Sequence, residues 1–347
     1  MYTLAEAAAR LRGIAGVSLS EGVPLSRYTR FGIGGPARYL VEASDEAAFV
    51  EALRAVRGCT TTVIGGGTNL VVSDSGFDGV VLRFAGSCIE LLSKRRHNAA
   101  DRSALPDSIE GGSALCRPGG TCVRAEAGGD LQALVDYSVA RGLGGLETMT
   151  GIPGTVGGAV YGNAGAYGRS ICESVRRVRF FDGAEVREIG NAECEFRYRE
   201  SAFKRNKDWV VLSAELLLEA APAAELVRVA DDILATRNRK YPPTMKCAGS
   251  IFKNLILAEL DEPVRAVVPA GVVREGKVPS AWFLEQVGAK GMKNGDIQVA
   301  DYHANLIYNA GAGTAAQVAA VIADLKLRVR DRFGLELEEE VQYVGFA

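Results

Sequence analysis

An α+β fold in more than one domain is what the 347-residue sequence predicts, on three observations. The length exceeds what one small core needs and suits two or three domains of about 100–150 residues each. Short strand-like runs are interleaved with segments of helical period. Glycine is concentrated at 65–67 and again across 142–168, more densely than turns alone require.

The elements follow in chain order. Tyr39–Val41 is strand-like, and Ser44 is the candidate N-cap of a helix with Phe49, Leu53 and Val56 on one face and Gly58 at its stop. TTVI (61–64) runs into Gly65, Gly66, Gly67, Thr68 and Asn69; with LVVSD and VVLRF (80–84) it makes a small β-α-β unit with a glycine-rich turn. Residues 93–120 lack an apolar period and are rich in Ser, Gly, Ala, Pro and charge, which predicts an exposed, flexible insertion. CVRAEAG (122–128) is strand-like, and Asp130 caps a helix carrying Leu131, Leu134, Val135 and Val139, stopped by Gly142.

Strands resume at VRRVRFFD (175–182), VREI (186–189), the segment CEFRYRESAFK (194–204) and VVLSAELLLE (210–219). AAPAAE (220–225) marks a boundary. Beyond it Leu226, Val229, Ala230, Ile233 and Leu234 predict a helix ending at Lys240, closed by Pro242 and Pro243. PSAWFLEQVG (279–288) predicts a short Ser-capped helix. Thr314 and Gln317 form a capping box for a long helix with Val318, Val321, Ile322, Leu325 and Val329 inward and Gly334 at its end. LELEEEVQYVG (335–345) predicts a final strand.

Composition narrows the function classes. A net charge of −2, with 40 basic and 42 acidic residues, gives no footprint for nucleic acid, and the Lys94-Arg95-Arg96 run has no interleaved aromatics. The opening residues are broken by Glu6, Arg10 and Arg12, and no run approaches a membrane span, so a cytoplasmic location is expected. Seven scattered cysteines with no C-x-x-C pair suit reduced thiols. The two histidines, His97 and His303, stand at no ligand spacing, so no metal is expected.

Chemistry then rests on the glycine clusters and a few polar residues. GGGTN has neither the Lys of a Walker loop nor the helix that opens a Rossmann loop. It is either a tight turn or, joined to Gly151, Pro153, Gly154, Thr155, Gly157 and Gly158, one of two loops on a diphosphate, using backbone amides and the hydroxyls of Thr68 and Thr155. By themselves, Ser250 reads as a turn residue and Arg199 as half of a strand-surface salt bridge.

Seven ordered segments go further: YTRFGIGGPARYL (28–40), IGGGTNLVVSD (64–74), GLETMTGIPGTVGGAVYGNAGAYG (145–168), FRYRESAFK (196–204), AGSIFKN (248–254), GAKGMKNGDIQVADYHANLIYN (288–309) and ELEEEVQYVG (336–345). Together the chain, apart from 93–120, resembles the UDP-N-acetylenolpyruvoylglucosamine reductases (UDP-N-acetylmuramate dehydrogenases) of bacterial peptidoglycan synthesis. The resemblance implies a two-part FAD domain of the vanillyl-alcohol-oxidase-like type, 1–90 and 91–222, then an α+β substrate domain, 223–347, whose last strand returns to the active site. It implies non-covalent FAD on the glycine loops and NADPH as hydride donor. The flavin would pass hydride to the β-carbon of the enolpyruvyl ether, and a proton would be added at the α-carbon to give UDP-N-acetylmuramate.

Residue by residue, Arg199 matches the family's arginine for the substrate carboxylate, where charge builds during hydride addition. Ser250 matches its general acid, and Glu340 its catalytic glutamate, with the register among Glu338, Glu339 and Glu340 resting on Val341. Lys240, Asn254 and His303 match positions that hold the substrate's diphosphate or sugar. Leu255 stands where proline is usual, and Arg30 interrupts an uncharged step. A monomer is expected. The alternatives are a sugar or alcohol oxidase of the same superfamily, which often carries a flavin-linking His near the first loop that this chain lacks, and a silent flavin-binding sensor, which would need none of Arg199, Ser250 and Glu340.

Overall fold

The computed structural model describes residues 3–92 and 120–346, so the expected insertion at 93–120 lies, except for Gly120, outside the described residues. The chain divides into two compact units, Met1–Phe84 with Ala235–Ala347, and Ala85–Leu234.

The first unit holds two main sheets. One orders its strands Val17–Pro24, Pro36–Ala43, Phe77–Phe84 and Thr61–Val63; its first pair is antiparallel and the others are parallel. The helix Glu46–Ala55 buries Phe49, whose ring stacks on Phe84 at 5.0 Å. Its N-cap is Asp45, not Ser44. The Asp45 carboxylate accepts from the Ala48 N–H at 2.9 Å, while the Ser44 hydroxyl is turned to Asp45 and to the carbonyl of Gly16.

The other sheet is antiparallel, in the order Lys246–Ser250, His303–Asn309, Ile297–Ala300, Lys293–Asn294. The helix Ala315–Phe333 belongs to the same core. Its expected stripe, Val318, Val321, Ile322, Leu325 and Val329, is buried throughout, and the Thr314 and Gln317 capping box forms as expected. Asp74 adds a second cap, accepting from the N–H groups of Ala315 and Ala316. Gly334 ends the helix at φ +69°. The shorter helix Ser280–Gln286 is not Ser-capped: Pro279 occupies the N-cap, and the buried Ser280 hydroxyl donates instead to the carbonyl of Phe252. Of the run 335–345, only Gln342–Val344 is a regular strand, paired in parallel with Leu70–Val72.

The second unit is built on an antiparallel sheet in the order Val186–Gly190, Val175–Phe181, Val210–Ala220, Thr121–Glu126, Ile89–Leu92. Asp130 caps Leu131–Val139 as expected, its carboxylate accepting from the Ala133 N–H. Phe180, Phe203 and Trp209 interlock on the sheet. The segment 194–204 does not continue the strands. Glu195 and Arg199 take positive φ, Arg197 and Glu200 close a tight turn through paired backbone hydrogen bonds, and Ser201 caps the short helix Ala202–Arg205. Among the described residues, no helix is long and apolar enough to cross a membrane.

Candidate active site

Ser250 closes the strand Lys246–Ser250, and the ladder to His303–Asn309 slips between Cys247 and Ser250. Gly249 sits in the slip at φ +77°, with open space where a Cβ would go. Glycine is required there by backbone conformation, not by crowding. Such a bulge re-aims the next side chain. Here the Ser250 Oγ reaches 3.1 Å from the Tyr241 Oη.

Just past Ser250 a buried amide catches the backbone. Asn305 Oδ1 accepts from the N–H groups of Ile251 and Phe252 at 3.1 and 2.9 Å, and its Nδ2 donates to the Phe252 carbonyl and the Ser280 Oγ at 2.8 and 2.7 Å. The acidic segment runs opposite. The Glu340 N–H donates to the Ile251 carbonyl at 2.7 Å, and the Lys253 N–H to the Glu338 carbonyl at 2.9 Å, about a bridge between Phe252 and Glu339. Ser250 and Glu340 therefore lie on facing backbone segments, one residue out of direct pairing. Of the neighbouring carboxylates, Glu338 pairs with Lys253, and Glu339 with Lys326 at 2.8 Å.

The first glycine loop ends on this segment. The Asn69 Nδ2 donates to the Glu340 carbonyl at 2.7 Å, and the Asn69 carbonyl accepts from the Gln342 N–H at 2.9 Å. Gly67 is dictated by a close approach, since a Cβ there would collide with the Tyr28 carbonyl; its own carbonyl accepts from the Arg30 N–H. Gly65 and Gly66 are exposed.

Three further candidates belong to this unit. Lys240 is exposed at the end of the helix Ala223–Lys240, with its Nζ 5.0 Å from the Tyr241 ring centre. The Asn254 Oδ1 accepts from the Ser280 N–H. The His303 Nδ1 accepts from the Asn305 N–H at 3.3 Å, and its buried Nε2 has no hydrogen-bond partner. Burial first, then the charges of Lys240 and Lys290, pull the imidazole down to about 4, so at neutral pH it is uncharged and its Nε2 is a donor. Leu255 stands in a two-residue ladder with Val278.

In the second unit, Arg199 occupies the tight turn at φ +56°. That conformation costs a non-glycine residue about 1–2 kcal/mol. One guanidinium nitrogen, Nη2, donates to the Gly165 carbonyl at 3.1 Å, and Lys204 Nζ donates to the Arg199 carbonyl. The arginine thus rests against the second glycine-rich segment. Several amides of that segment are engaged by the protein itself: Gly151 with Gln132 Oε1, Val156 with the Gly129 carbonyl, Gly157 with the Ala127 carbonyl, and Gly158 with the Thr155 hydroxyl. Gly157 packs so closely on Ala127 that a Cβ would lie 2.8 Å from the Ala127 Cβ. Pro153 and Gly158 are the exposed members among the expected contacts, and in the turn just before them the Thr148 Oγ1 is buried with no hydrogen-bond partner. Within this unit, the exposed Pro153 and Gly158 and the orphaned Thr148 hydroxyl beside them fit a bound flavin nucleotide.

Sequence reasoning missed Tyr241 and Asn305. Tyr241 adjoins Lys240 and Asn305 lies two residues after His303, but no sequence pattern says which hydroxyl or which backbone they meet.

Comparison with known proteins gives matches over nearly the whole chain. Residues 241–344 match the family model described as UDP-N-acetylenolpyruvoylglucosamine reductase, C-terminal domain, and residues 114–186 match an FAD binding domain. The UDP-N-acetylenolpyruvoylglucosamine reductase of Solibacter usitatus is 58% identical over 338 residues, covering 97% of this chain and all of that protein. UDP-N-acetylenolpyruvoylglucosamine reductase 1 of Bacillus anthracis is 32% identical, covering 93% of each. Among solved structures, the UDP-N-acetylenolpyruvylglucosamine reductase of Thermus caldophilus aligns with a TM-score of 0.67 at 28% identity, over 94% of this chain and 98% of the other.

Proposed function

The chain belongs to the UDP-N-acetylenolpyruvoylglucosamine reductase family, and from that premise we propose that Ser250, Glu340 and Arg199 carry its chemistry. The protein is an FAD-containing oxidoreductase that reduces UDP-N-acetylenolpyruvoylglucosamine to UDP-N-acetylmuramate for peptidoglycan synthesis, with NADPH as hydride donor. Bound FAD would supply the hydride chemistry between NADPH and the β-carbon of the enolpyruvyl group.

What this chain's own residues do follows from their chemistry. Hydride addition pushes negative charge onto the substrate carboxylate, and the permanently charged, planar guanidinium of Arg199 stabilises it. Ser250 gives its hydroxyl proton to the α-carbon. Glu340 flanks that transfer. The single observation that carries this assignment is the backbone hydrogen bond from Glu340 to Ile251, which ties the glutamate to the residue after the serine. The assignment of Glu340 in preference to its neighbours rests on its register beside Val341 and on that backbone bond.

Gly65, Gly66, Gly67, Thr68 and Asn69 from the first loop, with Gly151, Pro153, Gly154, Thr155, Gly157 and Gly158 from the second, hold FAD. Lys240, Asn254 and His303 hold the uridine diphosphate sugar; the neutral Nε2–H of His303 suits a phosphate or sugar oxygen. Residues 1–90 and 91–222 serve the flavin and 223–347 the substrate, in a cytoplasmic monomer. Anaerobic stopped-flow absorbance tests the function: NADPH bleaches the bound flavin, and the enolpyruvyl substrate then restores its colour. Bleaching without restoration rejects it.

A further inference from the structure

A serine that donates its proton to carbon has to be resupplied, because its hydroxyl is a very weak acid and the alkoxide left behind is a strong base. The hydroxyl within reach is Tyr241 Oη, 3.1 Å from Ser250 Oγ. We propose that Tyr241 resupplies Ser250, its phenolic proton moving as the serine proton moves to the substrate. The inference rests on Ser250 being the acid of the proposed reaction.

Three features hold Tyr241 in place. Its N–H extends the helix Ala223–Lys240 by one bond, donating to the Arg237 carbonyl at 2.7 Å. The Tyr302 hydroxyl donates to the Lys240 carbonyl at 3.0 Å, fixing the same helix end. Tyr241 packs against the buried cluster of Cys247, Ala300 and Leu306, which lies on the strand that carries Ser250 and on the two strands next to it in the sheet. The register slip at Gly249 completes the geometry by resetting the direction of Ser250, which stays paired with Leu306 and presents its hydroxyl to the phenol.

The surroundings also suit a transient phenolate. Arg237 and Lys240 lie 5.7 and 5.0 Å from the ring centre, both cationic, and the neutral His303 ring lies 6.2 Å away. The ring is half-buried, so solvent can return the proton. The step balances. The Ser250 O–H bond breaks and a C–H bond forms at the substrate α-carbon with the enolate electron pair; the Tyr241 O–H breaks as the Ser250 O–H re-forms; the phenolate takes a proton from solvent. A phenol of pKa ~10 gives its proton readily to an alkoxide. Tyr241 touches Ser250 and not the reacting carbon, so it is a positioning and supply residue.

Tyr241→Phe keeps the ring and removes the oxygen. In anaerobic single-turnover work with the flavin-loaded protein, flavin reduction by NADPH should change by less than about twofold, while reoxidation by the enolpyruvyl substrate slows about 10- to 100-fold. In mixtures of light and heavy water, the wild-type reoxidation rate should fall along a curve, two protons being in flight, and that of Tyr241→Phe along a straight line. Tyr241→Phe should add no further loss in a Ser250→Ala background. A linear wild-type profile, an unchanged reoxidation rate in Tyr241→Phe, or additive losses in the double variant would each overturn the supply role while leaving Ser250 as the acid. Normal reoxidation in Ser250→Ala alone would remove the reading on which it rests. The wild-type profile needs no variant, so the inference stays testable if Tyr241→Phe folds poorly.

Discussion

The backbone around Ser250 and the backbone around Arg199 solve the same problem in opposite ways. Ser250 and Glu340 stand on facing extended segments tied by backbone hydrogen bonds, and the four side-chain bonds of buried Asn305 hold the chain just past Ser250. Arg199 stands on a four-residue turn, in a left-handed conformation unfavourable to it. A proton donor needs its oxygen fixed to within a few tenths of an ångström of its partners, which a paired strand provides. A guanidinium acts through charge and a wide fork of donors on a long stem, so a strained turn that projects it is sufficient.

Predictions that break or sharpen this contrast run from the largest effect down. Ser250→Ala should slow flavin reoxidation by about four powers of ten, on the order of 5 kcal/mol or more of barrier, with NADPH reduction nearly intact in stopped flow. Arg199→Lys, which keeps charge but loses the fork, should slow the same step by about a hundredfold; losses of equal size in the two variants would erase the distinction between fixed oxygen and projected charge. Asn305→Ala should lower stability by about 2 kcal/mol in urea unfolding, because it strands the buried N–H of Phe252, while the Ile251 N–H keeps its bond to the backbone carbonyl of residue 305. A loss below about 1 kcal/mol would mean the strand past Ser250 does not depend on that amide.

The pH dependence tests the same region. His303 is held at about 4 when folded, against roughly 6.5 unfolded, so the unfolded chain binds more protons between these values. Its contribution, up to about 3 kcal/mol, is complete above pH ~6.5 and is lost as pH falls toward 4. His303→Gln should therefore flatten the acid side of the stability profile. The smallest effect concerns the turn: Arg199→Gly should unfold about 1 kcal/mol later than Arg199→Ala, the reverse of the usual order, since glycine alone is at ease at that φ.

Much of this was legible beforehand where the signal is local. The capping box at Thr314, the Asp130 cap and the apolar stripe of the long helix came through because each depends on residues three or four apart. Ser44 and Ser280 were misassigned as caps for a competing reason: each hydroxyl found a better partner, in Gly16 and Asp45 or in Phe252. Residues 194–204 group with the strands because charged residues alternate with Cys194, Phe196 and Tyr198, but positive φ at Glu195 and Arg199 breaks any ladder. The glycines of 151–158 suggest open amides, but five amides of this stretch are bonded within the fold; composition does not reveal where a carbonyl will lie. Nor does it reveal that Tyr241 faces Ser250, since that contact depends on a bulge.

The clamp of Asn69 onto Glu340 joins residues 271 positions apart. On a ribosome adding about 5–20 residues each second, the strand Leu70–Val72 emerges roughly 15 to 55 seconds before its partner Gln342–Val344 exists. Throughout that interval Val71 and Val72, both fully covered in the finished protein, have nothing to pair with. Residues 85–234 are continuous and have no such wait. Synthesis thus leaves the glycine loop without its glutamate until last, so a nascent chain stalled before residue 340 would present an adhesive edge and no chemistry.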